Sequence, residues 1–271
     1  MKRLFCFVLM VITLLSVFTG CRKDKTESEL AEFGLIKDNS LAESSYDDAL
    51  TMTDGALSGV QNFKSAGIIL SSCATVTIDV IMDPHLLIID FGTTNCLCND
   101  QKERRGKILV SFTGAYRDSG TVINISFDDY FVNDNKVLGT KTVTNKGTNI
   151  DGNLWYSILV NGSIVKAETG DTITWQSART RTWIEGEGTT VWSDDVYLIS
   201  GSANGESSSG EEYQVLITNN LRREIGCHHF VSGELLITRT NKPDINVDFG
   251  NGDCDDQVTI TINGVTYNYV I

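Results

Sequence analysis

The chain has 271 residues, of which 35 are acidic and 22 are basic, and its formal net charge at pH 7 is −13. Such an acidic chain repels the phosphates of nucleic acids and anionic lipid head groups, so the composition argues against a nucleic-acid-binding protein. The length suits one large β-domain or two small ones, with enough chain for a hydrophobic core.

The first twenty residues have the composition of an export signal. Lys2 and Arg3 give a basic start, and residues 4–17 are almost wholly apolar. This apolar run is too short for a transmembrane helix, which needs about 20 residues. The sequence therefore predicts a lipoprotein signal peptide over residues 1–20 and lipidation of Cys21. An ordinary signal peptide that is cleaved nearby is the alternative.

Lipidation of Cys21 would place the protein in the cell envelope. Acyl chains such as palmitate anchor a protein to a membrane without spanning it. Residue 22 is Arg rather than Asp, so the usual inner-membrane retention signal is missing and the outer membrane is the predicted location. Both its periplasmic and its surface face are compatible with the sequence.

Residues 21–39 are polar and charged with few apolar positions, which predicts a lipidated tether. Ser40 followed by Glu43 is a capping box, and apolar residues then recur at helical spacing as far as Leu57. We therefore predict one short amphipathic helix over residues 40–57, packed on the edge of the domain.

Residues 66–271 are predicted to form an all-β domain. Runs rich in Val, Ile, Thr, Tyr and Trp are separated by turn signals, among them Asn161-Gly162 and Asn263-Gly264. Asn-Gly between two such runs favours a tight hairpin, because the turn requires positive φ at both central residues. Successive hairpins predict an antiparallel meander that forms either a sandwich or a strongly curved sheet.

One short phrase occurs twice, as IIDFGTTNC at residues 88–96 and as NVDFGNGDC at residues 246–254. In each copy a cysteine and a proline precede the Asp-Phe-Gly, and a second cysteine follows five positions after the Phe. An alternating strand with a small turn comes after each copy. We interpret the copies as two related β-units, one at the start and one at the end of the domain.

Five cysteines follow Cys21 in the chain: Cys73, Cys96, Cys98, Cys227 and Cys254. In an exported protein such pairs are more often disulfides than metal ligands. The repeat predicts that Cys227 pairs with Cys254 and that Cys73 pairs with Cys96 or Cys98, each bridge stabilising the fold by about 3 kcal/mol. The cysteine left over is interpreted as an inert thiol, and a reactive thiol or half of a metal site is the alternative.

Several longer phrases carry a family resemblance. IDFGTTNC, ITWQSARTRTW and the GCxxxVSGxL pattern from Gly226 to Leu235 resemble a group of uncharacterised cell-envelope lipoproteins of Bacteroidetes. The resemblance covers roughly residues 70–265. It implies an all-β cell-envelope protein, and it carries over no catalytic residue and no cofactor.

Sequence motifs of enzymes are missing: there is no nucleophile elbow, no HExxH and no Gly-rich phosphate loop. Acidic pairs such as Asp128-Asp129 and Asp194-Asp195 would serve glycoside hydrolysis only if carboxylates faced each other about 5 to 9 Å apart. The sequence therefore predicts a non-catalytic protein without a cofactor, with a structural or interaction role. A glycoside hydrolase is a distant alternative.

A second function class is a carbohydrate-binding or adhesion lipoprotein on the cell surface. Arg179, Arg181 and Trp183 are two positions apart, so they share one face of a strand. An indole and two guanidinium groups on one surface could stack on sugar rings and contact acidic groups. The competing interpretation is a ladder in which the arginines pair with acids and Trp183 packs on its neighbours. A glycan or an envelope protein is the predicted partner besides the membrane.

The end of the second repeat contains Asp248, Asp253, Asp255 and Asp256 around two glycines. Their carboxylates could supply oxygen ligands to Ca²⁺. The first copy lacks this acidic tail and EF-hand spacing is absent, so no metal is predicted and these four residues are kept as a candidate.

Overall fold

The computed structural model of the protein describes residues 27–57, 73–189, 191, 193–227 and 229–271. The predicted signal peptide, the lipidation of Cys21 and the first residues of the tether lie outside the described residues. The elements are α1 Glu27–Leu57, β1 Thr75–Asp79, β2 His85–Asp90, β3 Cys96–Leu97, β4 Glu103–Phe112, β5 Val122–Val132, β6 Asn135–Thr148, β7 Leu154–Val165, β8 Thr172–Glu185, β9 Val196–Glu206, β10 Glu212–Glu224, β11 Ser232–Thr238, β12 Ile245–Asn251, β13 Gln257–Ile262 and β14 Val265–Val270.

The strands form one antiparallel sheet in which each strand pairs with the next one along the chain, except that the short β3 pairs with β4 beside β2. The prediction of an all-β antiparallel meander is confirmed, and the structure is one continuous sheet whose outer strands are β1 and β14. Register shifts lie next to Gly106, Gly147 and Gly233, each at positive φ. Such bulges bend strands, which allows the sheet to curve around the helix.

The two Asn-Gly pairs have different roles. Asn263-Gly264 joins β13 to β14 with φ values of 52° and 74°, as a tight hairpin requires. Asn161-Gly162, also predicted as a turn, instead lies inside β7, so that prediction is wrong. A side chain at Gly162 would collide with the hydroxyl of Tyr46 in α1 and with a backbone oxygen of β6. Glycine stands there because the helix approaches the strand closely.

Helix α1 is longer and more deeply buried than predicted. It begins at Glu27 rather than at Ser40, and Phe33, Leu35 and Ile36 of the expected tether are buried. Phe33 stacks on Tyr269 with ring centroids 5.0 Å apart. Tertiary packing therefore stabilises a first half whose local sequence predicts a tether. The helix does not lie on the edge of the domain, because it is buried on almost every side. In the described part of the chain, no helix is long and apolar enough to cross a membrane.

The repeated phrase adopts the same local structure in both copies. Asp90 Oδ1 accepts a hydrogen bond from the backbone N–H of Gly92 at 2.8 Å, and Asp248 Oδ1 accepts one from Gly250 at 2.8 Å. Both glycines have positive φ, 79° and 87°. Each unit therefore has the same side-chain-capped bend, after β2 in the first copy and in the last residues of β12 in the second, and the two units lie at the two ends of the sheet.

The two disulfides join the cysteines that the repeat predicts to be paired. Cys73 is joined to Cys96, with their Cα atoms 6.0 Å apart, and Cys227 is joined to Cys254, with their Cα atoms 5.6 Å apart. Cys98 is the free cysteine among the described residues and it is buried. The structure thus selects Cys96 over Cys98 as the partner of Cys73.

Candidate functional site

The helix and the concave face of the sheet meet through buried charges of opposite sign. Asp48 of α1 accepts hydrogen bonds from Arg104 of β4, including one from Nε at 3.0 Å, and a third donor is the hydroxyl of Tyr130 at 3.1 Å. The Arg104 side chain has no exposed surface and that of Asp48 is 2% exposed. Lys102 reaches the same carboxylate at 2.9 Å. This cluster fixes one side of the helix to the first half of the sheet.

Further along the contact, other helix acids meet other strands. Arg179 of β8 donates to both oxygens of Glu43, at 3.2 and 3.4 Å. Lys141 of β6 lies 3.0 Å from an Asp47 carboxylate oxygen and also donates to a backbone oxygen of the helix. Removing Glu43 or Arg179 would leave a buried charge without its counter-charge, and so would removing Asp47, because the Lys141 side chain is only 1% exposed.

The pKa values of the helix acids follow their surroundings. Burial alone would raise the pKa of Asp47 and of Asp48, but the neighbouring cations hold each pKa below its usual value. Burial raises the pKa of Glu43, and Arg179 offsets this only in part. Burial also raises the pKa of Asp54 to about 6, where Arg181 and Lys141 favour the charged form. The helix therefore carries some acids whose pKa is lowered and others whose pKa is raised.

A cavity of about 530 Å³ opens between α1 and the C-terminal strands. One wall is apolar and is formed by strand and loop residues of this end of the sheet. The main apolar members are Ile225, Phe230, Leu235, Ile237, Val247 and Phe249. Ligand cavities of small molecules have volumes of about 300–1,000 Å³ and are mostly apolar.

The opposite wall of the cavity is polar because it includes the exposed and half-buried stripe of the helix. Lys37, Ser44 and Thr51 are seven residues apart in sequence and line this wall together. A spacing of seven residues is close to two helical turns, so the three side chains lie on one face. Lys102 and Arg223 add cationic groups to the lining. The cavity therefore has one apolar and one polar side, as an amphipathic molecule requires.

Arg223 also shapes the cavity. Its Nη1 donates hydrogen bonds to the backbone oxygen of Cys227 and to that of His229, the latter at 3.0 Å. This holds the loop that follows β10, which the disulfide from Cys227 to Cys254 ties to the end of the second repeat. The predicted disulfide thus lies at the cavity wall, since Cys227 and His229 are both lining residues.

The structure corrects the location of the candidate glycan-binding residues. Arg179, Arg181 and Trp183 do share one face of β8, but they are only 6%, 8% and 3% exposed, because that face is concave and α1 covers it. Arg179 pairs with Glu43, as the competing ladder interpretation expects of an arginine, although its acid lies on the helix rather than on a strand. These residues form no exposed surface for a glycan.

Two of the four candidate calcium ligands accept backbone hydrogen bonds in their own turns. Asp248 accepts from Gly250, and Asp255 Oδ1 accepts the backbone N–H of Gln257 at 3.1 Å. Within the described ranges, no group of three or more His, Cys, Asp or Glu side chains is placed to hold a metal ion.

The cavity residues were not singled out by sequence reasoning, apart from the disulfide beside them. Most of the helix residues in the lining lie within the predicted helix over residues 40–57, but their spacing does not indicate that they border a cavity. The apolar wall comes from ordinary strand alternation, which indicates a buried face without showing where the core leaves a space. Comparisons of the chain with protein-family models, with characterised proteins and with solved structures found no match.

Proposed function

We propose that this chain is a non-catalytic binding protein of the bacterial cell envelope and that its cavity takes up a small molecule with an apolar part. The observation that carries the proposal is the cavity of about 530 Å³, whose apolar wall is continuous with the hydrophobic core. Binding of a ligand that removes such an apolar surface from water is favourable in free energy. The resemblance to envelope lipoproteins supports the location.

Binding of a neutral apolar dye tests the proposal. The fluorescence of N-phenyl-1-naphthylamine rises when the dye leaves water, so titration with the purified domain should show saturable binding. Leu235 of β11 lines the cavity, whereas the next residue, Leu236, points to the other face of the strand. The Leu235→Trp variant should fill the cavity and weaken dye binding about tenfold, and Leu236→Trp should bind like the wild type.

The result is decided by the comparison of the two variants. Both should first show the near-UV circular dichroism of the folded protein. Equal dye affinity of Leu235→Trp and Leu236→Trp, or no saturable binding by the wild type, would contradict the proposal.

We also propose that lipid on Cys21 anchors the protein to the outer membrane, which the signal-like residues 1–20 support. Metabolic labelling with palmitate should mark the wild type and not a Cys21→Ser variant. Protease treatment of intact cells then distinguishes the two faces of the membrane. Digestion would indicate the surface, and protection until lysis would indicate the periplasm. Labelling that persists in Cys21→Ser would exclude the anchor.

A further inference from the structure

A second, smaller cavity of about 60 Å³ adjoins the large one. The two cavities share part of their lining, namely Glu43, Asp47, Thr51, Arg223 and Ile225. The small cavity lies between α1 and strands β6 to β10. A cavity needs about 10–15 Å³ to hold a water molecule, so this one has room for a polar head group of a few atoms.

The small cavity is lined by buried donors that lack partners. Nε and Nη1 of Arg179 are buried without a hydrogen-bond partner, and so is the hydroxyl of Ser177. Both side chains line the cavity and both residues are more than nine-tenths buried. A buried donor without an acceptor costs about 1–3 kcal/mol, and more when it is charged. These donors are therefore suited to an acceptor that enters from the cavity.

The charges around the small cavity are unequal. Its lining contains four cationic side chains, Lys141, Arg179, Arg181 and Arg223, and two carboxylates, Glu43 and Asp47. Asp54 lies outside the lining but also interacts with Arg181 and Lys141, so the cations still outnumber these carboxylates by one. Arg181 stacks on the Tyr197 ring, 3.6 Å from the centroid, and among the described residues it forms no ion pair. An excess of cations in a desolvated place favours an anion.

We infer that the two cavities form one site for an anionic amphiphile, a small acid with an alkyl tail. The acid group accepts from Arg179, Arg181 and Ser177 in the small cavity, and the tail lies against the apolar wall of the large one. This inference rests on the proposed function, because it needs the large cavity to accept the tail. It adds the head-group charge, which the apolar wall alone does not determine.

Isothermal titration calorimetry with three ligands of equal tail length tests the inference. Decanoate, decanol and decylammonium have the same chain and differ in the charge of the head group. At pH 7.4 we expect decanoate to bind at least about tenfold more tightly than decanol, and decylammonium to bind most weakly.

A pair of variants assigns the preference to the small cavity. Arg181→Gln removes a guanidinium that forms no salt bridge among the described residues, although it favours the charged form of Asp54. Decanoate should lose about tenfold in affinity while decanol binds as before. Arg222 is next to Arg223 but lines neither cavity, and its carboxylate partners are Glu185 and Glu224. Arg222→Gln is therefore the matched control and should change neither affinity.

The outcomes separate the two proposals. If none of the three ligands binds, the proposed function and the head-group inference both fail. If decanol binds as tightly as decanoate, the cavity is a binding site and only the inference about the anion is overturned. Unchanged decanoate binding by Arg181→Gln also overturns it. Should that variant not fold, the comparison of ligands on the wild-type protein decides.

Discussion

Replacing Asp48 with alanine should destabilise the protein far more than the loss of a surface acid, because Asp48 neutralises a guanidinium that the sheet buries completely. Arg104 has no exposed side-chain surface and donates to Asp48 through Nε and Nη2. Asp100 would still pair with Arg104, at 2.6 Å, after the substitution. Arg104 would keep only the Asp100 carboxylate, and Lys102 would lose its contact with Asp48.

The size of the effect follows from two losses. Breaking a buried ion pair by removing one partner costs about 3–5 kcal/mol, and the remaining Asp100 contact places this case near the lower end. The Tyr130 hydroxyl also loses its acceptor, which adds about 1 kcal/mol. For a domain of this size, 1 kcal/mol changes Tm by about 2–4 °C, so a decrease of about 10 °C is expected.

Thermal unfolding followed by circular dichroism at pH 7 measures this prediction. Asp48→Asn should fall between wild type and Asp48→Ala, because the amide keeps the shape and part of the hydrogen bonding. The control is Glu185→Ala, which removes a carboxylate that is 55% exposed and lies 2.8 Å from Arg222. Such exposed pairs contribute about 0–1 kcal/mol. A decrease in Tm for Asp48→Ala no larger than for Glu185→Ala would refute the reasoning.

Three further predictions concern packing, titration and thiol chemistry. Gly162→Ala should lower Tm by several degrees, since its methyl group would collide with Tyr46, whereas Gly188→Ala has open space and should change Tm little; equal effects would count against the close helix contact. Burial raises the pKa of Asp54 to about 6, so this group favours the fold at low pH and its contribution is lost as the pH rises through that value. Between pH 4 and pH 7 the free energy of unfolding of the wild type should therefore decrease by up to about 3 kcal/mol relative to that of Asp54→Asn. Parallel pH profiles of the unfolding free energy for the two proteins would contradict this. Cys98 should react with a thiol reagent only after denaturation, and rapid labelling of the native protein would show that it is not buried.

The sequence predicts strands well where turn chemistry and alternation agree. Asn263-Gly264 lies between two alternating runs and forms the expected hairpin. Asn161-Gly162 has the same dipeptide, yet β7 continues through it, because the need for glycine comes from Tyr46, a residue more than a hundred positions earlier. A local pattern cannot distinguish a turn from a close approach of a distant side chain.

The candidate site could be predicted in part only. Side chains alternate between the two faces of a strand, so the sequence predicts that Arg179 and Arg181 share one face, and in the structure they do. Their surroundings depend on Glu43 and its neighbours, which lie 136 residues away from Arg179 in sequence. Local spacing contains no information on such a contact. The early part of the helix has the same cause, because strand β14 supplies the aromatic surface against which Phe33 packs.

The acidity of the chain also has a structural reason that composition alone does not show. Helix α1 contains eight acidic residues and one basic residue, so it carries −7 of the formal net charge of −13. Its acids meet cations on separate parts of the sheet: Asp38 meets Lys166, Glu43 meets Arg179, Asp47 meets Lys141 and Asp48 meets Arg104.

A buried ion pair adds little stability compared with a well-packed apolar pair, but a misplaced one is strongly unfavourable. Shifting the helix by one turn would separate each acid from its partner and leave several buried charges uncompensated. The pairs therefore favour one axial position of the helix within the curved sheet. Because the same helix forms the polar wall of the large cavity, this position also sets the shape of the proposed binding site.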